Sequence, residues 1–174
     1  MPSPLLADAF GHHVWATIRL LDACAALDDA QLATSVPGTY GSIIDTLRHL
    51  VGGDVFYLDI LIGRVEPFDE EGSDVPTMRA VMEAHDLAWQ RLFAGDIDPT
   101  TVVIEHEDNG WETHAPLGIR LAQALHHGTD HRSQVCTALT SLGIEPPAID
   151  VWDFGGQDGR FFHVEPTEAA ESSS

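Results

Sequence analysis

Apolar residues recur along this chain mainly at spacings of three and four, the period of a helix with one buried face. Between Leu5 and Leu27 the stripe is Leu6, Phe10, Val14, Ile18, Leu21 and Ala25. A second helix is predicted from Ser42 to about Ile62. There Ile44, Leu47, Val51, Leu58 and Ile62 share one stripe, while Phe56 and Ile60 carry the apolar surface to the other side. Ser42 followed by Asp45 has the form of a capping box. Met78, Val81, Met82, His85, Trp89 and Leu92 mark a third helix, ended by Gly95. A fourth, roughly 40 Å long, fits between Pro116 in its first turn and Gly143 at its end. Just before it, Val102–His106 and Trp111–Ala115 flank Asn109-Gly110, the dipeptide of a two-residue hairpin loop. That loop would place Glu105 opposite His114. The pattern predicts an all-α fold, an antiparallel four-helix bundle with a small β-hairpin before the last helix.

The segments between these elements carry less information. The acidic stretch from Gly63 to Asp74 has no periodicity and reads as a loop with solvated charges, and beyond Pro146-Pro147 the chain reads as extended or irregular. With 174 residues, 44% of them apolar, the material suffices for one sizeable core. The expectation is one helical domain over residues 1–164, followed by an acidic, Ser-rich tail over 165–174 whose composition predicts disorder.

Charge and inventory remove several kinds of function. The formal net charge is −20, which argues against nucleic acid and anionic membranes as partners, since both are held through basic patches. All 8 basic residues are Arg, so Schiff-base chemistry and a phosphate-loop lysine are excluded outright. Cys24 and Cys136 lack CxxC spacing and read as reduced thiols. No basic region precedes an apolar leader and no apolar run spans a bilayer, so the expected location is cytoplasmic.

The candidate chemistry lies in the histidines, of which there are 10. His127 and His131 stand four residues apart in the fourth helix, so their Cβ atoms leave one face about 6 Å apart. They share a stripe with Ala124, Val135, Ala138 and Leu142 and face an apolar seam, where an imidazole needs a partner. A metal ion is one such partner, and a third ligand from elsewhere would decide the case. His49, on a helix that is apolar on two sides, can face an interior seam, and Gly52 and Gly53 beside it suit a place of close approach. His12 and His13 read as partly solvated surface residues, and His85 as a core histidine. Neither hairpin histidine, His106 or His114, is taken as a ligand. Asp54 and Arg132 each interrupt an apolar arc and are expected to meet across the bundle as a structural ion pair.

Three segments together resemble the DinB-like family of four-helix bundle proteins: HHVWATIRLLDACAAL, YGSIIDTLRHLVGGDVFYL and HHGTDHRSQV, the last followed by LG and PP. The likeness extends to about Asp150. It implies a divalent metal held by His49, His127 and His131, with Ser133 where the family usually has Gly. Relatives that act as mycothiol-dependent maleylpyruvate isomerases or bacillithiol transferases share the fold, and the isomerase type tends to carry an acid where His127 stands. Three imidazoles would leave one coordination position open, as catalytic sites do. Asp45, one turn before His49, could orient that ligand or simply cap the helix. The resemblance thus implies a metal-dependent hydrolase or a low-molecular-weight-thiol transferase acting on a small molecule, and it suggests a homodimer. Zinc or nickel is expected first, with iron and copper also compatible with imidazole. The competing expectation is a non-catalytic, metal-stabilised dimeric binding or stress-response protein.

Overall fold

Four long helices carry the periodic stripes. In the computed structural model, which describes residues 4–63 and 65–164, they are α1 (Pro4–Cys24), α3 (Ile43–Ile62), α4 (Val75–Ala94) and α5 (Leu117–Ser141). Helix α1 packs on α4 and α5, and α3 packs on the same two, so the four close into a ring around one core. Each apolar face turns inward. Phe10 of α1 meets Trp89 and Phe93 of α4 at ring separations of 4.3 and 4.8 Å, pairs that each add about 0.5–1.5 kcal/mol beyond simple burial. Leu47, Val51 and Leu58 of α3 and Val135 and Leu139 of α5 complete the fully buried layer. Among the described residues no helix is long and apolar enough to cross a membrane. The tail expected at 165–174 lies outside the described residues.

The caps explain where the helices begin. Ser42 accepts from the Asp45 amide to open α3, and Asp74 accepts from the Thr77 amide to open α4, with Pro76 in the first turn. Two short helices were not expected from the pattern: α2 (Asp29–Leu32) and α6 (Val151–Gly156). The region after Pro147 is therefore not wholly irregular. Both helices are nucleated by a reciprocal capping box, Asp28 with Gln31 and Asp150 with Asp153, and each is too short to show a periodic stripe. Phe154 of α6 lies against His12 and Trp15 of α1.

The hairpin pairs β1 (Val102–His106) with β2 (Glu112–Pro116), antiparallel, but one residue out of the expected register. Glu105 faces Thr113, and His114 faces Ile104. The loop has three residues, Asp108 to Gly110, closed by Glu107 and Trp111. Gly110 at φ +85° supplies the left-handed third position that such loops use. Glu105 is thereby freed from His114 and pairs with Arg120 of α5 at 2.9 Å.

A polar pin crosses the core through all four long helices. Asp54 of α3 accepts from His13 of α1 (3.0 Å) and from His85 of α4 (2.5 Å), with the Trp89 indole N–H at 3.3 Å. Arg132 of α5 donates from Nη1 to His13 Nδ1 at 3.0 Å. The expected pair of Asp54 and Arg132 is thus relayed through His13 rather than direct. His13 is 2% exposed, which corrects its reading as a surface residue, and His12 is half-buried with Nε2 2.9 Å from the Ile149 carbonyl. His13 sits on the inner side of α1 because the buried face there is wider than its Leu6–Phe10–Val14 stripe, whereas His12 stays partly solvated under Phe154. His85 is a core histidine, as expected. Burial pushes the Asp54 carboxyl up, but the hydrogen bonds from His13 and His85 outweigh it and hold the carboxyl well below its usual range. Burial draws Arg132 down to about 10, opposed by Asp54, so both ends of the relay are ionised at neutral pH.

Candidate metal centre

Helices α3 and α5 pack directly against each other, and the three predicted ligands meet at that seam. His49 leaves α3, and His127 and His131 leave successive turns of α5. One ligating nitrogen from each lies within 4.8 Å of the others. A zinc–imidazole bond is about 2.0–2.1 Å, so two such ligands at a tetrahedral angle stand about 3.3 Å apart. His49 Nε2 and His127 Nε2 are 3.2 Å apart. The donor set, three imidazoles and no thiolate, therefore fits a divalent ion.

Each ring is held by a different device. His49 Nδ1 faces Glu70 Oε1 at 3.0 Å, and the Tyr40 ring stacks on His49 at 4.1 Å with the planes 4° apart. A hydrogen bond from Nδ1 to that carboxylate turns the Nε2 lone pair toward the other two histidines. His131 Nδ1 faces Gln134 Oε1 at 3.3 Å, and the same oxygen accepts from the Tyr40 amide at 2.8 Å. His127 is placed by close packing. A Cβ on Gly53 would stand 2.4 Å from His127 Cε1, so the ring occupies the space that glycine leaves on α3. At the next residue of α5, a Cβ on Gly128 would stand 2.3 Å from His13 Cε1. The centre thus rests directly on the polar pin.

Electrostatics keep the rings available as ligands. Burial, and after it the neighbouring His131 and His49, lower His127 to about 4. His131 is 9% exposed and is also lowered by burial, with Gln134 raising it and His49 lowering it. Imidazoles that resist protonation keep their lone pairs for a cation. On its outer side the centre meets a cleft of about 750 Å³ lined by Tyr40, Gly41, Asp45, Arg48, Glu70 and Glu71. Of those six, Tyr40 and Glu70 also touch His49.

The structure brings His49, His127 and His131 together, and of the two roles left open for Asp45 it shows the one at the helix start. Asp45 does not touch His49. It accepts from Ser42 Oγ at 2.5 Å and lies 3.9 Å from Arg48, so it acts at the helix start. Glu70 takes the orienting role from the acidic loop whose charges were read as merely solvated, and Gln134 does the same for His131 from the turn after it. Gln134 was legible in principle, since a polar residue three positions after His131 shares its face. Glu70 has no periodicity to mark it. His106 and His114 pair with Glu112, far from the centre in the hairpin.

No curated protein matches the chain. A protein-family model matches residues 1–159, nearly the whole of what the structure describes and all four helices of the ring. By that match the chain belongs to the DinB family.

Proposed function

We propose that the protein binds one divalent cation through His49, His127 and His131 and acts as a hydrolase or a low-molecular-weight-thiol transferase on a small molecule. One observation carries the reading: three imidazoles converge from two rigid helices, oriented by Glu70, Gln134 and Gly53, beside a cleft large enough for a small substrate. Three protein ligands leave a position for a fourth. A bound divalent cation supplies a Lewis acid there, at which water or a thiol ionises near neutral pH.

The chain's own residues restrict the choice of nucleophile and substrate. Neither cysteine suits nucleophilic work, since burial pushes Cys24 up to about 12 and also raises Cys136. The nucleophile in this reading is therefore water or an external thiol. Asp45, Glu70 and Glu71 line the cleft against the single cation Arg48, an arrangement that repels polyanions and favours a neutral or cationic substrate. Arg48 is fixed by donating to the Ser73 carbonyl at 2.8 Å and can bind one acceptor group of a substrate at the mouth.

The test is a substrate screen of zinc- and nickel-loaded protein with neutral esters, amides and soft electrophiles, each with and without small thiols. The expected result is turnover that disappears in His131→Ala. Thiol-dependent product would select the transferase, and thiol-independent product the hydrolase. Turnover unchanged in His131→Ala would contradict the reading.

A further inference from the structure

A second polar device opens away from the metal centre. Between the end of α3, the loop after it and α4 lies a pocket of about 430 Å³, within the size range of small-ligand sites. Ile62, Val65, Val81, Ala88 and Leu92 make its walls apolar, and none of its lining residues lines the cleft beside the three histidines. His85 also lines it, with a side chain only 5% exposed. Its Nδ1 is committed to Asp54. Because that carboxylate is ionised and only accepts, Nδ1 carries the proton and a neutral His85 has its lone pair on Nε2. Arg120 Nε is the one fully buried side-chain nitrogen or oxygen without a partner among the described residues. His85 Nε2 has no partner among the described residues either, and His85 is one of the residues that line the pocket.

We propose that this pocket is a binding site for a small, neutral, largely apolar molecule carrying one hydroxyl donor, a phenol above all, whose O–H is accepted by His85 Nε2. The Asp54–His85 bond fixes the tautomer and the ring direction, so the acceptor is preorganised and no proton has to move on binding. A flat ring suits walls made of aliphatic side chains. Among the described lining residues Glu66 and Arg91 contribute one charge of each sign, which favours a neutral ligand. A ligand without a donor would leave the buried acceptor dry and unpaired, which costs about tenfold in affinity.

Zinc-loaded full-length protein is titrated with 4-methylphenol, 4-methylanisole and toluene, following backbone amide shifts by NMR. The expected result is saturable one-to-one binding of 4-methylphenol, with shifts centred on Val81, Ala88 and Leu92, and binding about tenfold weaker for the two probes that lack a donor. The anisole comparison replaces a His85 variant, because His85 also holds Asp54 and its loss would disturb the fold. Ala88→Trp fills the pocket and should abolish binding. Ala84→Phe, at an exposed wall position, repeats the test without crowding the core. Equal affinity for the phenol and its methyl ether would overturn the proposal. So would shifts centred on Tyr40 and the three histidines, or binding that survives in both filled variants.

Discussion

Replacing Gly53 with Ala separates the metal centre from the fold in a single substitution. In an exposed helix interior this change would stabilise by about 1 kcal/mol. Here the new Cβ would stand 2.4 Å from His127 Cε1 and 2.9 Å from Nδ1, where ordinary contact begins at 3.4 Å. The ring must retreat by the difference, about 1 Å, whereas a ligand tolerates only about 0.2 Å. His127 is half-buried, and the overpacking cost, about 1–3 kcal/mol, is partly offset by the helix gain. The metal-free variant should therefore melt close to the wild type. Zinc affinity should fall at least about 100-fold, or about 2.8 kcal/mol, which removes roughly 5–10 °C of metal-induced stabilisation in a chain of this size. Gly52→Ala is the internal control. Its Cβ would meet the flexible end of Glu70, at 2.7 Å from Oε2, so it reaches the centre only through the carboxylate at His49 and should cost no more than about tenfold in zinc affinity. Calorimetric zinc titration and thermal melts of the metal-free and loaded forms measure both quantities. Zinc binding by Gly53→Ala within threefold of the wild type would show that the space left by Gly53 does not place His127.

Asp54→Asn should destabilise the metal-free protein by about 3–5 kcal/mol at pH 7, because Arg132 and its His13 relay lose their anion in the core; a urea melt showing less than about 1 kcal/mol would remove the pin from the account of the fold. Glu70→Gln keeps the shape but weakens the acceptor at His49 Nδ1, and since Glu70 is exposed the zinc affinity should drop only about tenfold. Both His127, at about 4, and His131 lie below the ordinary imidazole value of 6.5 when folded, so the stability they contribute is present above 6.5 and is lost as pH falls toward 4. Protons compete for the same nitrogens, so the metal-induced gain in melting temperature should persist near pH 6.5 and vanish by about pH 4; a gain that is flat from pH 7.5 to 4 would exclude these histidines as ligands.

Much of this was legible because it is local. The stripes of Phe10 and Val14, of Leu47 and Val51, and of Met78 and Met82 name helices whose apolar faces have only one place to go, and four such helices make a ring. The HxxxH of α5 follows from helical spacing alone, and Gly53 signalled a close approach although not to which side chain. What escaped was either too short to be periodic or set by distant partners. Helices α2 and α6 span 4 and 6 residues, less than two turns, and only their capping boxes could have announced them. The hairpin register slipped by one because Gly110 closes a three-residue loop, an alternative that the Asn109-Gly110 dipeptide also permits. His13 stands 41 residues from Asp54 and 119 from Arg132, so nothing near it in the chain showed that its place was in the core. Glu70 reaches His49 from a loop whose path depends on how α3 and α4 pack, which no local pattern encodes.

Whether three imidazoles from two helices hold one ion is decided by a zinc titration of the wild type beside His49→Ala, His127→Ala and His131→Ala, with metal content measured after dialysis. The expected result is about one zinc per chain in the wild type and a loss of at least about 100-fold in affinity in each variant. Stoichiometric binding that survives in any of the three, or a wild type that retains no zinc, would contradict it.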